Sequence, residues 1–263
     1  MTGGALFADV NGTRLHYRLD GPEGAPVLLL SNSLGTNLGM WAPQMPALTA
    51  RYRVLRYDSR GHGQSAAPTG AYSFDQLGGD AVALLDHLGF DTVAFCGLSK
   101  GGMVGMWLGA HAPQRVTRLA LTNTAPYLPP AEHWDLRIKT VTEQGMTSIT
   151  EGVVSRWFTQ GFQERAPAEV DPIRQMLLTT DPVGYCGCCH AIRDMDQRAD
   201  LGRITAPVLV IGGTRDPSTP PHYSEEIARG IPGAKLVMLE AAHLSNIEQR
   251  ERYTAALLDF LEG

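Results

Sequence analysis

Six short apolar runs constrain the fold of this chain more than any other feature of its sequence. None of them alternates polar with apolar residues, which indicates strands buried on both faces, as parallel strands covered by helices are. Amphipathic helical patterns separate the runs, so we predict an α/β fold with helices on both faces of a mostly parallel sheet. The runs cover residues 27–30, 54–57, 92–96, 119–122, 208–211 and 236–239.

The first twenty residues follow a different pattern. After an Asn11-Gly12 turn, apolar Leu15, Tyr17 and Leu19 alternate with polar residues. This period of two is typical of a strand with one face in water, and an Asn-Gly pair is typical of a hairpin turn. We therefore predict a half-exposed antiparallel hairpin, which brings the sheet to eight strands.

The interval 125–203 carries no strand pattern. It contains helical patterns at 133–142 and 147–158, and prolines punctuate it. We predict a helical cap inserted between two core strands, over the carboxyl edge of the sheet. The chain then divides into an α/β core, residues 1–124 and 204–263, and a helical cap over residues 125–203.

Composition and charge exclude several function classes. The chain has 27 acidic and 22 basic residues without runs of like charge, so we expect neither nucleic acid nor membrane as a partner. No apolar stretch reaches the roughly 18 residues of a membrane span, and the N-terminus lacks a secretory signal pattern. Three of the four cysteines lie within four residues, which does not resemble a disulfide framework. We expect a cytoplasmic protein, and the sequence leaves a homo-oligomer open.

The sharpest chemical signal is G-L-S-K-G-G at residues 97–102, between a predicted strand and a predicted helix. A serine in G-x-S-x-G at such a junction sits on a tight turn, and the glycines let neighbouring backbone pass close by. The helix N-terminus beneath the serine favours negative charge on a developing oxyanion. We therefore predict that Ser99 is a nucleophile.

An unassisted serine is a poor nucleophile at neutral pH, so Ser99 needs a base and an orienting acid. In G-x-S-x-G enzymes the acid and then the histidine follow the serine along the chain, on loops after late strands. Asp216 follows the fifth apolar run and His243 follows the sixth. These positions predict a triad of Ser99, Asp216 and His243.

The predicted oxyanion hole needs two backbone N–H groups. One belongs to the residue after the nucleophile, which is Lys100, and the other to the loop after the first apolar run. That loop reads S-N-S-L-G-T at residues 31–36, and we choose Leu34 as its donor.

Other candidates for the acid and the base are weaker. His62, in D-S-R-G-H-G-Q-S at residues 58–65, precedes the serine, so a structural turn is the favoured role. The strand before residue 123 offers Asn123 instead of a carboxylate, and Asp194 and Asp196 belong to the cap.

The cysteine-rich segment raises the question of a metal site. On a helix only Cys186 and His190 share a face among the residues of C-G-C-C-H, and no second cluster supplies further ligands. We predict reduced thiols that pack a cap helix, and no metal.

Together these residues resemble those of α/β-hydrolases over essentially the whole chain, and segment 58–65 is similar to the family's D-x-R-G-x-G-x-S loop. More narrowly, the chain resembles the 3-oxoadipate enol-lactonases of the β-ketoadipate pathway of aromatic compound degradation. Segments 31–36, 96–99 and 184–196 carry this second resemblance. Lys100 departs from the uncharged residue expected after the nucleophile.

The resemblance implies hydrolysis of a small enol-lactone that carries a carboxylate, to 3-oxoadipate, through an acyl-enzyme and with no cofactor. An anionic substrate in an acidic protein needs a cation, for which we select Arg137 and Arg193 in the cap. Trp134 is selected as an apolar wall and Ser33 as a further substrate contact.

Other functions use the same residues. A general carboxylesterase, a perhydrolase-like enzyme or a carbon–carbon bond hydrolase would share the triad, whereas a small-molecule receptor on this scaffold would bind its ligand with little turnover. Dehalogenases and epoxide hydrolases are disfavoured because they place aspartate where Ser99 stands. A burst of product from an activated ester, lost in Ser99→Ala, would separate an enzyme from a receptor.

Overall fold

The computed structural model describes residues 6–263 of the chain. Eight strands in this range form one sheet: β1 Leu6–Val10, β2 Thr13–Asp20, β3 Val27–Ser31, β4 Arg53–Tyr57, β5 Val93–Leu98, β6 Val116–Thr122, β7 Val208–Gly213 and β8 Lys235–Leu239. Their order is β1-β2-β4-β3-β5-β6-β7-β8. The hairpin β1–β2 and the β2–β4 pair are antiparallel, and the other neighbours are parallel. The predicted fold class is confirmed.

Helices cover the sheet: α1 Met45–Leu48, α2 Phe74–Leu88, α3 Lys100–His111, α4 Ala131–Gln144, α5 Thr147–Trp157, α6 Gln160–Arg165, α7 Pro167–Leu178, α8 Pro182–Asp194, α9 Pro221–Gly230, α10 Ser245–Glu248 and α11 Arg250–Glu262. Helices α4 to α8 and a 3-10 helix over Arg198–Arg203 occupy the connection between β6 and β7. We refer to residues 125–203 as the cap. None of the helices within residues 6–263 is both long enough and apolar enough to cross a membrane.

The centre of the sheet determines where a functional site can form. Strand β5 lies between β3 and β6, and every one of its residues is buried. The carboxyl ends of parallel strands meet at one edge of a sheet, which is where open α/β sheets bind ligands. The loops after β3, β5, β7 and β8 therefore converge on the same edge.

The hairpin differs from its predicted pattern at one position. His16 was expected on the exposed face of β2, but it is 4% exposed, and its Nδ1 lies 2.7 Å from Asp58 Oδ2. The reason is the loop after β4, which covers this face and whose Ser65 Oγ accepts a hydrogen bond from the His16 backbone N–H. The expectation of a half-exposed strand is thus wrong for this residue.

Candidate active site

Ser99 stands at the junction between β5 and α3 in a conformation that few non-glycine residues adopt, with φ 58° and ψ −118°. The turn depends on the glycines around it. A Cβ at Gly97 would overlap the carbonyl oxygen of Gly101, and a Cβ at Gly101 would overlap that of Ser31. The backbone strands can cross this closely only because both residues lack side chains. The turn lifts Ser99 above the end of the sheet, as the G-x-S-x-G pattern predicts.

Asp216 and His243 meet on the loops that follow β7 and β8. His243 Nδ1 lies 2.8 Å from Asp216 Oδ2, and both side chains are buried. The second carboxylate oxygen accepts hydrogen bonds from the backbone N–H groups of Ser218 and Thr219, at 2.8 Å and 3.0 Å. The Thr219 hydroxyl also donates to Oδ2, at 2.7 Å. The carboxylate is therefore held rigidly against one nitrogen of the imidazole.

These contacts set the charge of the pair. Burial alone would raise the pKa of the Asp216 carboxyl, but the charge of His243 and the hydrogen bonds to the carboxylate outweigh it and lower that pKa below its usual value. Asp216 is thus ionised at neutral pH and accepts a hydrogen bond from Nδ1–H. The other nitrogen of His243, Nε2, is left as a base.

Asn123 supports this arrangement, a role that was not predicted from the sequence. Its amide donates to Asp216 Oδ2 at 3.1 Å and to the Ala242 carbonyl at 3.2 Å, while its own oxygen accepts from Ser245 Oγ at 2.5 Å. It adopts φ 42°, another conformation that is uncommon outside glycine. The feature of the sequence that could have identified Asn123 is its position at the carboxyl end of β6, on the same edge of the sheet as the other loops.

The two predicted oxyanion donors lie on the loop after β3 and at the start of α3. Lys100 is the first residue of α3, where backbone N–H groups have no partner within the helix. Leu34 and Ser33 line the same cavity as Ser99. The Ser33 hydroxyl is buried, and no residue in the range 6–263 forms a hydrogen bond with it. Ser33, Leu34 and Ser99 thus share one cavity, and Lys100 follows Ser99 directly in the chain.

The Lys100 side chain points away from this group. It is fully buried, and its Nζ donates to Ser59 Oγ at 2.7 Å. Burial lowers the pKa of the amine, and the nearby Cys188, Asp80 and Asp58 partly offset that effect. The side-chain amine of Lys100 is therefore directed to the loop after β4, and its backbone N–H remains the predicted oxyanion donor.

A cavity of about 620 Å³ has Ser99 and His243 in its lining. Its floor comes from the loops of the sheet, and its other walls come mainly from the cap. The cap residues in the lining are Leu128, Pro129, His133, Trp134, Leu136, Arg137, Ile149, Val153, Arg156, Trp157, Tyr185 and Ile192. Trp157 stacks on the His243 ring at 6.5 Å between centroids, so the cap directly contacts the predicted base.

Two arginines enter this cavity from the cap. Arg137, on α4, lies 5.2 Å above the Trp134 ring and faces Tyr185. Arg156, on α5, was not predicted; burial, followed by the charge of Arg137, lowers the pKa of its guanidinium. Within residues 6–263, no carboxylate forms an ion pair with either guanidinium. The sequence feature that could have identified Arg156 is its spacing from Val153 and Trp157, which places it next to the buried face of α5.

Arg193, the other predicted cation, lies elsewhere. Its guanidinium contacts Asp135 Oδ1 at 2.7 Å and Asp194 at 2.7 Å and 2.9 Å on the outer surface of the cap. These two carboxylates raise the pKa of the guanidinium. Asp196 is likewise paired at the surface, with Arg198. The structure therefore brings Ser33, Trp134 and Arg137 to the cavity, but not Arg193.

The cysteine segment packs α8 as predicted. Cys188 and Cys189 are buried, burial raises the pKa of both thiols, and all four cysteines within residues 6–263 are free thiols. In the part of the chain from residue 6 to residue 263, no group of three or more His, Cys, Asp or Glu side chains is arranged to hold a metal ion.

Comparison with known proteins gives one consistent family. Residues 26–163 match the family model for the alpha/beta hydrolase fold, and residues 183–261 match a model described as TAP-like protein. Two relatives from Acinetobacter baylyi are named 3-oxoadipate enol-lactonase 2, 42% identical over 92% of this chain and 91% of its own, and 3-oxoadipate enol-lactonase 1, 35% identical over 98% and 97%. The crystal structure of the enol-lactonase from Burkholderia xenovorans LB400 is 45% identical, with a TM-score of 0.97 over 98% of this chain and 100% of that one. This chain belongs to the α/β-hydrolase family and is a hydrolase.

Proposed function

We propose that the protein opens the ring of 3-oxoadipate enol-lactone, a small lactone with a carboxylate side chain, to give 3-oxoadipate. One observation carries the proposal: a single cavity joins Ser99 and His243 to two arginines that have no carboxylate partner within the described residues. A cavity for neutral esters gains little from two half-buried guanidinium groups without a carboxylate partner, because withdrawing charge from water without a partner is costly. An anionic substrate supplies the missing charge.

The first half of the reaction forms an acyl-enzyme. His243 Nε2 takes the hydroxyl proton of Ser99 while Oγ attacks the lactone carbonyl carbon, and Asp216 stabilises the imidazolium. The N–H groups of Leu34 and Lys100 donate to the oxyanion, and the unpartnered Ser33 hydroxyl is available as a third donor. The bond between the carbonyl carbon and the ring oxygen then breaks. Its electron pair leaves as an enolate, which takes a proton from His243 and becomes a ketone.

The second half releases the acid. A water molecule gives a proton to His243 and attacks the Ser99 ester, and the same donors bind the second oxyanion. The imidazolium then returns its proton to Ser99 Oγ. No step requires a metal or an organic cofactor.

The cap determines which esters enter this site. Arg137 presents a planar fork of donors that matches a carboxylate, and Trp134 fixes its position from one face. Arg156 adds a second positive charge, which favours the negative charge that develops on the departing enolate. On this proposal the enzyme acts in the cytoplasm, on a step in the degradation of aromatic compounds.

The test is turnover of the enol-lactone beside uncharged esters of similar size. We expect kcat/KM for the anionic lactone to exceed that for the neutral esters by at least about 10²-fold, the range for one buried charge pair. Ser99→Ala should abolish both activities. Equal rates on all substrates would favour a general carboxylesterase, and binding of the lactone without turnover would favour a receptor.

A further inference from the structure

The 58–65 loop, D-S-R-G-H-G-Q-S, follows β4 and takes no part in the chemistry described above. It is nevertheless tied to both segments that supply the predicted oxyanion donors. Asp58 Oδ1 accepts from the Leu38 N–H at 2.7 Å, beyond one end of the loop that contains Leu34. On the other side, Ser59 Oγ accepts from Lys100 Nζ at 2.7 Å. One loop thus contacts both halves of the predicted oxyanion hole.

The third tie is the most direct. The Gly35 N–H donates to His62 Nε2 at 2.9 Å, and His62 Nδ1 lies 3.2 Å from the Arg60 carbonyl. The two contacts define the tautomer, because Nε2 must be the acceptor and Nδ1 must carry the proton. His62 is 1% exposed. Burial and then the charge of Lys100 lower the pKa of His62 well below 6.5, which keeps Nε2 available as an acceptor.

The geometry of the loop explains why this bond matters for Leu34. The peptide that carries the Leu34 N–H is held on its other side, since the Ser33 carbonyl accepts from the Thr36 hydroxyl at 2.9 Å and from the Thr36 N–H at 3.3 Å. The next peptide, which ends in the Gly35 N–H, is held by His62. Gly35 has φ 77° and no side chain to restrict it, so without the bond to His62 the chain could turn at this residue.

We propose that His62 is a positioning residue that fixes the direction of the Leu34 N–H through its hydrogen bond to Gly35. The proposal rests on the proposed attack of Ser99 on an ester. His62 lies behind residues 33–35 and outside the lining of the cavity, so it acts through the backbone and not on the substrate. Its effect belongs to the transition state, where the oxyanion forms, and not to the binding of the neutral carbonyl.

The test compares three variants with the parent enzyme. His62→Leu removes the acceptor, His62→Gln keeps an acceptor at the position of Nε2, and His16→Leu removes another buried histidine on the far side of the same loop. The rates are measured with p-nitrophenyl acetate and with the enol-lactone. We expect His62→Leu to lower kcat about 10- to 100-fold with KM within about threefold, somewhat less than the loss of an oxyanion donor. His62→Gln should recover most of this loss, and His16→Leu should stay within about threefold of the parent.

Two outcomes would overturn the proposal: unchanged kcat in His62→Leu, or equal losses in His62→Leu, His62→Gln and His16→Leu. If His62→Leu does not fold, His62→Asn replaces it, since the shorter side chain cannot bring an acceptor to Gly35. The bond itself is tested in the parent enzyme by the scalar coupling across N–H···N between Gly35 and His62 Nε2 in a ¹⁵N-labelled sample; its absence also overturns the proposal. Failure of the proposed function is separate, since it appears as a parent enzyme without acylation of Ser99.

Discussion

The two ends of the cavity, one formed by the loops of the sheet and one by the cap, differ in whether their charged groups have partners within the protein. At the sheet end, both carboxylate oxygens of Asp216 have hydrogen-bond partners, two of which are backbone N–H groups of the loop after β7. At the cap end, the charge of Arg137 lowers the pKa of the Arg156 guanidinium, and neither arginine forms an ion pair with a carboxylate of the described residues. The Asp216–His243 pair thus has its partners without substrate, whereas on the proposed function the two guanidinium groups receive theirs when the substrate binds.

This difference assigns separate tasks to the two ends. A network in which each group is satisfied is rigid, which suits chemistry that needs fixed distances. Two unpaired cations in a partly desolvated cavity repel each other, so a negative ligand between them is favoured twice, by attraction and by relief of that repulsion. On the proposed function, the loops of the sheet therefore determine the reaction type, and the cap selects for the charge of the substrate.

The largest expected effect lies at the sheet end. Ser99→Ala and His243→Ala should each lower kcat by about 10⁴-fold or more, because members of a triad act as a unit. For the same reason the double variant should lose little more than either single variant. The measurement is kcat on the enol-lactone, with melting temperatures to show that each variant folds. Losses that multiply in the double variant would mean that the two residues act independently.

The next effect tests the acid. Asp216→Asn should lower kcat by about 10³- to 10⁴-fold, because an amide favours the wrong tautomer of His243. Asp194→Asn is the matched control, since Asp194 is an exposed carboxylate paired with Arg193, and it should change kcat less than about twofold. The comparison of the two kcat values decides the assignment: a larger loss in Asp194→Asn would move the acid to the cap.

The sheet end was also the part that the sequence could predict. Ser99, Asp216 and His243 each follow a strand, and a local apolar run in the sequence is enough to predict a buried strand. Because the carboxyl ends of parallel strands meet at one edge of the sheet, the three residues are expected at the same edge. Asn123 obeys the same rule but was passed over because it is no carboxylate. The support that it gives to Asp216 depends on a contact between residues 93 positions apart.

The cap end could not be predicted to the same degree. A helical pattern shows which residues share a face, but not which neighbour the face meets. Arg137 and Arg193 were equivalent in sequence, and only the packing of α4 against α8 sends one into the cavity and the other toward Asp135. The contacts of His16 and His62 could not be predicted either, because each depends on packing against a segment distant in sequence.

The cap end is tested by replacing Arg137 and Arg193, the two arginines that the sequence predicts as partners of the substrate carboxylate. Arg137→Met keeps much of the apolar stem and should lower kcat/KM for the anionic lactone by about 10²-fold, or roughly 2–3 kcal/mol, while a neutral ester changes less than about threefold. Arg193→Met is the control and should leave the ratio of the two kcat/KM values unchanged. If neither variant alters the ratio, the carboxylate binds elsewhere, and Arg156→Met is the next measurement.

The smallest expected effect concerns how the cap is held over the sheet. On α8, a Cβ at Gly184 would overlap the backbone of Gly61 in the 58–65 loop. The two backbone segments are therefore in direct contact, with no side chain between them. Gly184→Ala should therefore lower the free energy of unfolding by about 1–3 kcal/mol, the usual cost of overpacking. Because each kcal/mol corresponds to about 2–4 °C in Tm, the change is measurable by thermal unfolding. Gly161→Ala on α6 is the control, since the nearest atom to a Cβ there is Arg165 Nη1 at 3.7 Å, and alanine in a helix gains about 0.5–1 kcal/mol over glycine. A Tm of Gly184→Ala equal to that of Gly161→Ala would mean that α8 can shift at this contact and that the close approach of Gly184 to Gly61 does not hold the cap.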